Sequence, residues 1–77
     1  YQLGAAYSNK GDYENAVKAL LKAVELDPKM ADAHYGLGFA YYKLKNYDLA
    51  WQHIKKAESL GAKISPDLLT AIKENLP

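Results

Sequence analysis

Two histidines, His34 and His53, stand 19 positions apart in a chain of 77 residues that contains no cysteine. Without thiolates or an HxxxH spacing they lack the company of a metal site. The expectation is that His34 packs within a helix and His53 lies on exposed surface. Glu25, Asp27 and Asp32 gather around a turn, yet nothing sets two of them in a pocket where one carboxyl would tune another for acid–base work. They are expected to be surface charges near Pro28. Ser8, Ser59 and Ser65 have no His/Asp arrangement to activate a nucleophile. Gly4, Gly11, Gly36 and Gly38 belong to helices or turns, so they build no phosphate cradle of the strand–loop–helix kind. No catalytic residue, metal ligand or cofactor is assigned, and the chain is not expected to be an enzyme.

Charge narrows the partner classes further. The formal net charge is +1, and all ten basic residues are lysines, with the densest local enrichments only the pairs Lys43/Lys45 and Lys55/Lys56. A nucleic-acid surface concentrates positive charge on one face and favours arginine forks. No nucleic-acid partner is therefore expected. No apolar run approaches the length that a membrane span needs, and Tyr1 to Lys10 lacks the basic-then-apolar order of a signal peptide. Tyr1 is an unusual first residue and opens directly into a helical pattern, so the chain reads as a trimmed piece. The compartment stays open, with the cytoplasm slightly favoured. A domain of this size exposes roughly 4,700 Å² and has a thin margin of stability.

The elements come from a repeat. The shift that superposes Tyr1 on Tyr35 also brings Leu3 onto Leu37, Gly4 onto Gly38, Ala6 onto Ala40 and Tyr7 onto Tyr41. Tyr13/Tyr47, Ala16/Ala50, Ala23/Ala57 and Leu26/Leu60 follow at the same offset, with Leu20/Ile54 a near match. Each unit reads as two helices. The first pair spans Tyr1 to about Lys10 and Tyr13 to Leu26, with Gly11-Asp12 as the turn and Asp27-Pro28 as the stop. Ala16, Leu20, Ala23 and Val24, and later Leu26, carry the apolar stripe of the second helix. The second pair spans Ala31 to Leu44 and Tyr47 to Leu60, with Gly61 as a left-handed cap.

A fifth helix is announced by Ser65-Pro66-Asp67: Ser65 as N-cap, Pro66 at the first helical position, and Asp67 at the positive end. Its stripe of Leu68, Leu69, Ile72 and Leu76 is expected to cover the open edge of the preceding pair. A glycine inside a helix costs about 1 kcal/mol relative to alanine, so Gly4 and Gly38 at one repeat position imply close helix–helix approach. Leu3/Leu37 and Tyr7/Tyr41 are expected to fill the space beside them.

This pattern resembles the tetratricopeptide repeat family. The Leu-Gly-x-x-Tyr run appears as Leu3-Gly4-Ala5-Ala6-Tyr7 and as Leu37-Gly38-Phe39-Ala40-Tyr41; Tyr13, Ala16, Leu20, Ala23 and Pro28, then Tyr47, Ala50, Ile54 and Ala57, meet the later positions. The match covers the chain as far as Ile64. It departs at His34, where the family has a tryptophan-like residue, and at Ala62, where it has the inter-repeat proline. The resemblance implies an all-α fold of antiparallel helix–turn–helix repeats stacked as a right-handed superhelix. Repeat 1, N-terminally truncated, is placed at 1–30, repeat 2 at 31–64 and a capping helix at 65–77, within one domain.

It also implies a concave face, lined by first helices, that holds peptides or partner proteins. Carried onto this sequence, that face takes Tyr35, Phe39 and Tyr42, with Lys43 beside them and Asp32 near the entrance. Tyr1, Ala5, Ser8 and Asn9 form the less bulky counterpart in the first unit. The spacing of Tyr35, Phe39 and Tyr42 independently sets them on one side of a helix, and burial under the C-terminal helix or an absent repeat is the competing reading. Tyr1, Ala5 and Gly36 replace the Lys and Asn positions of the family's carboxylate clamp, which disfavours a ligand held by its terminal carboxylate. Asn9 and Lys43 remain candidates for a peptide backbone or acidic group. The expected function is a non-catalytic scaffold that binds a protein or peptide. The alternatives are self-association through the repeat ends or a helper fragment of a larger protein.

Overall fold

The computed structural model describes residues 2–76, and Tyr1, one of the expected groove residues, lies outside them. It contains α1 (Gln2–Asn9), α2 (Tyr13–Leu26), α3 (Ala31–Lys43), α4 (Tyr47–Ser59) and α5 (Pro66–Glu74), with no strand among the described residues. The accessible surface is 4896 Å², close to what its mass predicts. Consecutive helices pack as α1 on α2, α2 on α3, α3 on α4 and α5 on α4.

Small residues set how near the helices come. A Cβ built on Gly38 would fall on the Ile54 side chain and lie 3.2 Å from the Ala50 carbonyl oxygen. On Gly4 it would strike Leu20 and lie 3.4 Å from the Ala16 oxygen. The two glycines therefore do the same thing in successive repeats: each lets a first helix rest on the backbone of its second helix. Ala16, Leu20, Ala23, Ala33, Leu37 and Ala40 form one buried cluster. Ala50, Ile54 and Ile72 form a second, and Tyr41 packs against both. Ile72 brings α5 onto α4, with Leu68, Leu69 and Ile64 partly buried around it.

The ends of the helices follow local chemistry. Gly11 turns at φ +80° and Gly61 at φ +101°, left-handed conformations that suit a residue without Cβ. The Asp12 carboxylate accepts the Asn15 amide (3.3 Å) and, at its other oxygen, the Asn15 side-chain amide (2.8 Å), capping α2. Asp27 closes α2 through its own N–H and accepts the Lys29 amide at 3.2 Å.

Three expectations need correction. Ser65 occupies the N-cap of α5, but its hydroxyl makes no capping bond; it is exposed, so the first amides of α5 are open to water. Leu3 fills no space beside Gly4 and is 61% exposed, whereas its counterpart Leu37 is fully buried because α2 lies over it. Leu26 is 79% exposed: beyond Ala23, it rotates off the stripe of α2 that faces the core.

Candidate functional site

A cavity of about 300 Å³ opens between the first helices of the two hairpins. Ala5, Ser8 and Asn9 supply the α1 wall; Asp32, Tyr35, Gly36 and Phe39 supply the α3 wall; Leu20 of α2 shows through as the floor. Small residues make the depth. Ala5 presents little side chain, and a Cβ on Gly36 would stand 3.0 Å from the Leu20 methyl group. Any larger residue at either position would fill the notch.

Of the residues expected to bind, Asn9, Asp32, Tyr35 and Phe39 converge on this cavity. Tyr35 also packs against the cluster of Ala50, Ile54 and Ile72. Phe39 is steadied from the other side by Tyr13, edge-on at 6.0 Å between ring centroids. Tyr42 lies outside the cavity: it packs on the α4–α5 cluster and meets Tyr47 edge-on at 5.9 Å. The Lys43 ammonium sits 5.5 Å from the Phe39 ring centroid and 5.9 Å from that of Tyr42. This holds the charge against the aromatic rim. Leu20 lines the cavity although it was assigned to the apolar stripe of α2, and Gly36, which also lines it, stands where the family's carboxylate clamp has an asparagine.

The histidines meet on the far side of α3. His34 is buried, and its Nε2–H donates to the Pro28 carbonyl at 2.9 Å. A carbonyl only accepts, so the Nδ1 of neutral His34 carries no proton and accepts from His53 Nδ1–H at 3.2 Å. The ring centroids lie 5.4 Å apart, exceeding the nitrogen separation by about two ring radii. The nitrogens therefore point at each other, an edge-to-edge hydrogen bond rather than face-to-face stacking. The pair is a hydrogen bond, and two imidazoles alone fall short of the three or four protein ligands of a zinc site. No group of three or more His, Asp or Glu side chains among the described residues converges as a metal site either.

His53 is half-buried, not on open surface as expected, because Tyr41 packs beside it with its ring nearly parallel, 5.6 Å between centroids. Burial first, and the charge of His34 second, lower the His53 pKa from its ordinary value, while burial raises that of Tyr41. Among the described residues, no polar side-chain atom is buried without a partner.

Known proteins carry the same pattern of helices and small residues. A family profile described as "TPR repeat" matches residues 4–45, and another described as "Tetratricopeptide repeat" matches residues 31–61. The chain belongs to the tetratricopeptide repeat family. It is 39% identical over 56 residues to the type IV pilus assembly protein PilF of Pseudomonas aeruginosa, covering 73% of this chain and 22% of that protein. It is 30% identical over 57 residues to neutrophil cytosol factor 2 of Bos taurus, covering 74% of this chain and 11% of that protein. The chain thus spans about a fifth and a ninth of the lengths of these relatives. Tetratricopeptide repeats are generally protein-interaction scaffolds, and no helix among the described residues is long and apolar enough to cross a membrane.

Proposed function

We propose that this repeat pair is a non-catalytic module that binds a short peptide segment of a partner protein in the groove between α1 and α3. One observation carries the reading: the notch over Leu20, walled by Tyr35 and Phe39 and kept open by Ala5 and Gly36, is concave, largely apolar and rimmed by the polar groups of Ser8, Asn9 and Asp32. Such a site takes an apolar side chain and leaves donors and acceptors for a peptide backbone. The cavity admits one or two side chains. A helix, about 10–12 Å across, does not fit within it.

The test uses the chain's own repeat. Ala5 corresponds to Phe39, so Ala5→Phe plugs the groove with a residue the neighbouring helix already carries there. Peptides selected from a random library on the immobilised chain should perturb the NMR resonances of Tyr35 and Phe39, and Ala5→Phe should weaken them at least tenfold. Peptides that bind Ala5→Phe as well as wild type would refute the groove. The competing reading, stacking between repeat ends, draws on exposed Leu3. It would appear instead as concentration-dependent shifts on α1 without peptide.

A further inference from the structure

The groove is electrically polar along its length. Asp32, Tyr35, Gly36, Phe39 and Lys43 fall at i, i+3, i+4, i+7 and i+11 of α3, a single stripe of the helix. A carboxylate stands at one end of this stripe and an ammonium at the other, with the apolar notch between. The rise of the helix from Asp32 to Lys43 separates the two backbone positions by about 16 Å, and the Lys43 ammonium, drawn back over Phe39, brings the charges nearer than that. Among the described residues neither charge has an ion-pair partner; the salt bridge formed there is Lys55–Glu58, on α4. Asp32 lines the cavity, and Lys43 is drawn over the Phe39 ring that walls it. Both also suit the dipole of α3, acid in the first turn and base in the last. That role leaves their outward faces open to a ligand.

Resting on the reading of the groove as a peptide site, we infer that its ligand is an extended segment of mixed charge: a basic side chain at Asp32, an apolar side chain in the notch over Leu20, and an acidic side chain at Lys43. In an extended chain, side chains at i, i+2 and i+4 share one face. Four steps of about 3.3 Å cover roughly 13 Å, and the reach of a lysine and a glutamate closes the remaining distance to the two charges. Ser8 and Asn9 on the opposite wall are placed to meet the peptide backbone, which an extended segment presents along its edge.

The probes are four blocked pentapeptides titrated into the isotope-labelled chain at low salt: Lys-Ser-Leu-Ser-Glu, Lys-Ser-Leu-Ser-Lys, Glu-Ser-Leu-Ser-Glu and the uncharged Ser-Ser-Leu-Ser-Ser. The mixed-charge peptide should bind most tightly, by about two- to fivefold for each matched end, and the preference should fade as salt rises. Because a peptide can enter in either direction, the deciding arm is on the protein. Asp32→Lys should shift the preference to the doubly acidic peptide, and Lys43→Glu to the doubly basic one, with helical circular dichroism unchanged in both. If all four peptides bind the groove equally, or the two variants leave the ranking unchanged, the polarity is overturned while the groove reading survives. If none perturbs Tyr35 or Phe39 at millimolar concentration, both fall together.

Discussion

The two hairpins share a packing contact and differ in the turn that joins their helices. Gly4 on Leu20 and Ala16 in the first is repeated by Gly38 on Ile54 and Ala50 in the second. At the turn, the first hairpin has Gly11 at φ +80° and an Asp12 cap. The second has Lys45 at φ +65° and Asn46 with no side-chain cap bond. Yet both turns close alike: Asp12 N bonds Tyr7 O and Asn46 N bonds Tyr41 O, each at 2.9 Å. The backbone path is therefore kept while the residues suited to it are not. Helix–helix contact dictates the path, and the turn follows even where its own residue resists.

The largest effect should come from the shared contact. Gly38→Leu drives a side chain into Ile54 and should cost about 1–3 kcal/mol, measured by urea denaturation. Gly4→Leu should cost less. α3 is held between α2 and α4, whereas α1 rests on α2 with little else behind it and can move outward. Equal losses at the two sites would break the comparison, showing that the clash is local and the helices' freedom irrelevant.

This contrast also marks what the sequence made legible. Helix number, order and ends were readable almost to the residue, because proline stops, glycine turns and the constant offset between repeats are all local or periodic signals. Helical spacing grouped Tyr35, Phe39 and Tyr42, of which the first two line the cavity and Tyr42 does not, whereas Asn9 and Asp32, which also line it, were named through the family resemblance. Leu3 was misjudged since burial depends on what lies across from a residue, and its pattern is identical to that of Leu37. The His34–His53 bond was equally hidden: two rings on different helices meet only through the register of α3 against α4. His53 corresponds to Ala19 in the first repeat, so no periodic signal pointed to it.

The turns give the next effect. A side chain in the left-handed region costs about 1–2 kcal/mol against the right-handed alternative, part of which is offset by the entropy glycine loses on folding. Lys45→Gly, which copies Gly11 into the second hairpin, should raise stability by about 0.5–1 kcal/mol. Asp12→Ala should lower it by about 1 kcal/mol, while Asn46→Ala, with no cap bond to lose, should change it by a few tenths. Thermal melts of the three variants separate these outcomes. A Lys45→Gly variant no more stable than wild type would mean that Lys45 gains something at its position that the geometry does not show.

The smallest effect, and the one that distinguishes the second hairpin chemically, is its response to acid. His53 is half-buried, so water screens part of its charge and the response is modest. The groups facing it are His34 and Tyr41 of α3; burial among them, and second the charge of His34, disfavour the charged form of His53. The folded pKa of His53 is lowered while the unfolded chain titrates at the ordinary value of 6.5. Above that value neither state is charged and the contribution to stability is complete. As pH falls below it, the unfolded chain takes up the proton first, and stability declines until pH has passed through the lowered folded value. His53→Ala, which restores the residue found at Ala19 in the first repeat, removes the group whose charge is resisted. Its urea midpoint should vary less than wild type between pH 7.5 and 5, even if its stability at neutral pH is lower. An undiminished pH dependence in this variant would assign the acid sensitivity to other groups and leave the two hairpins alike in that respect.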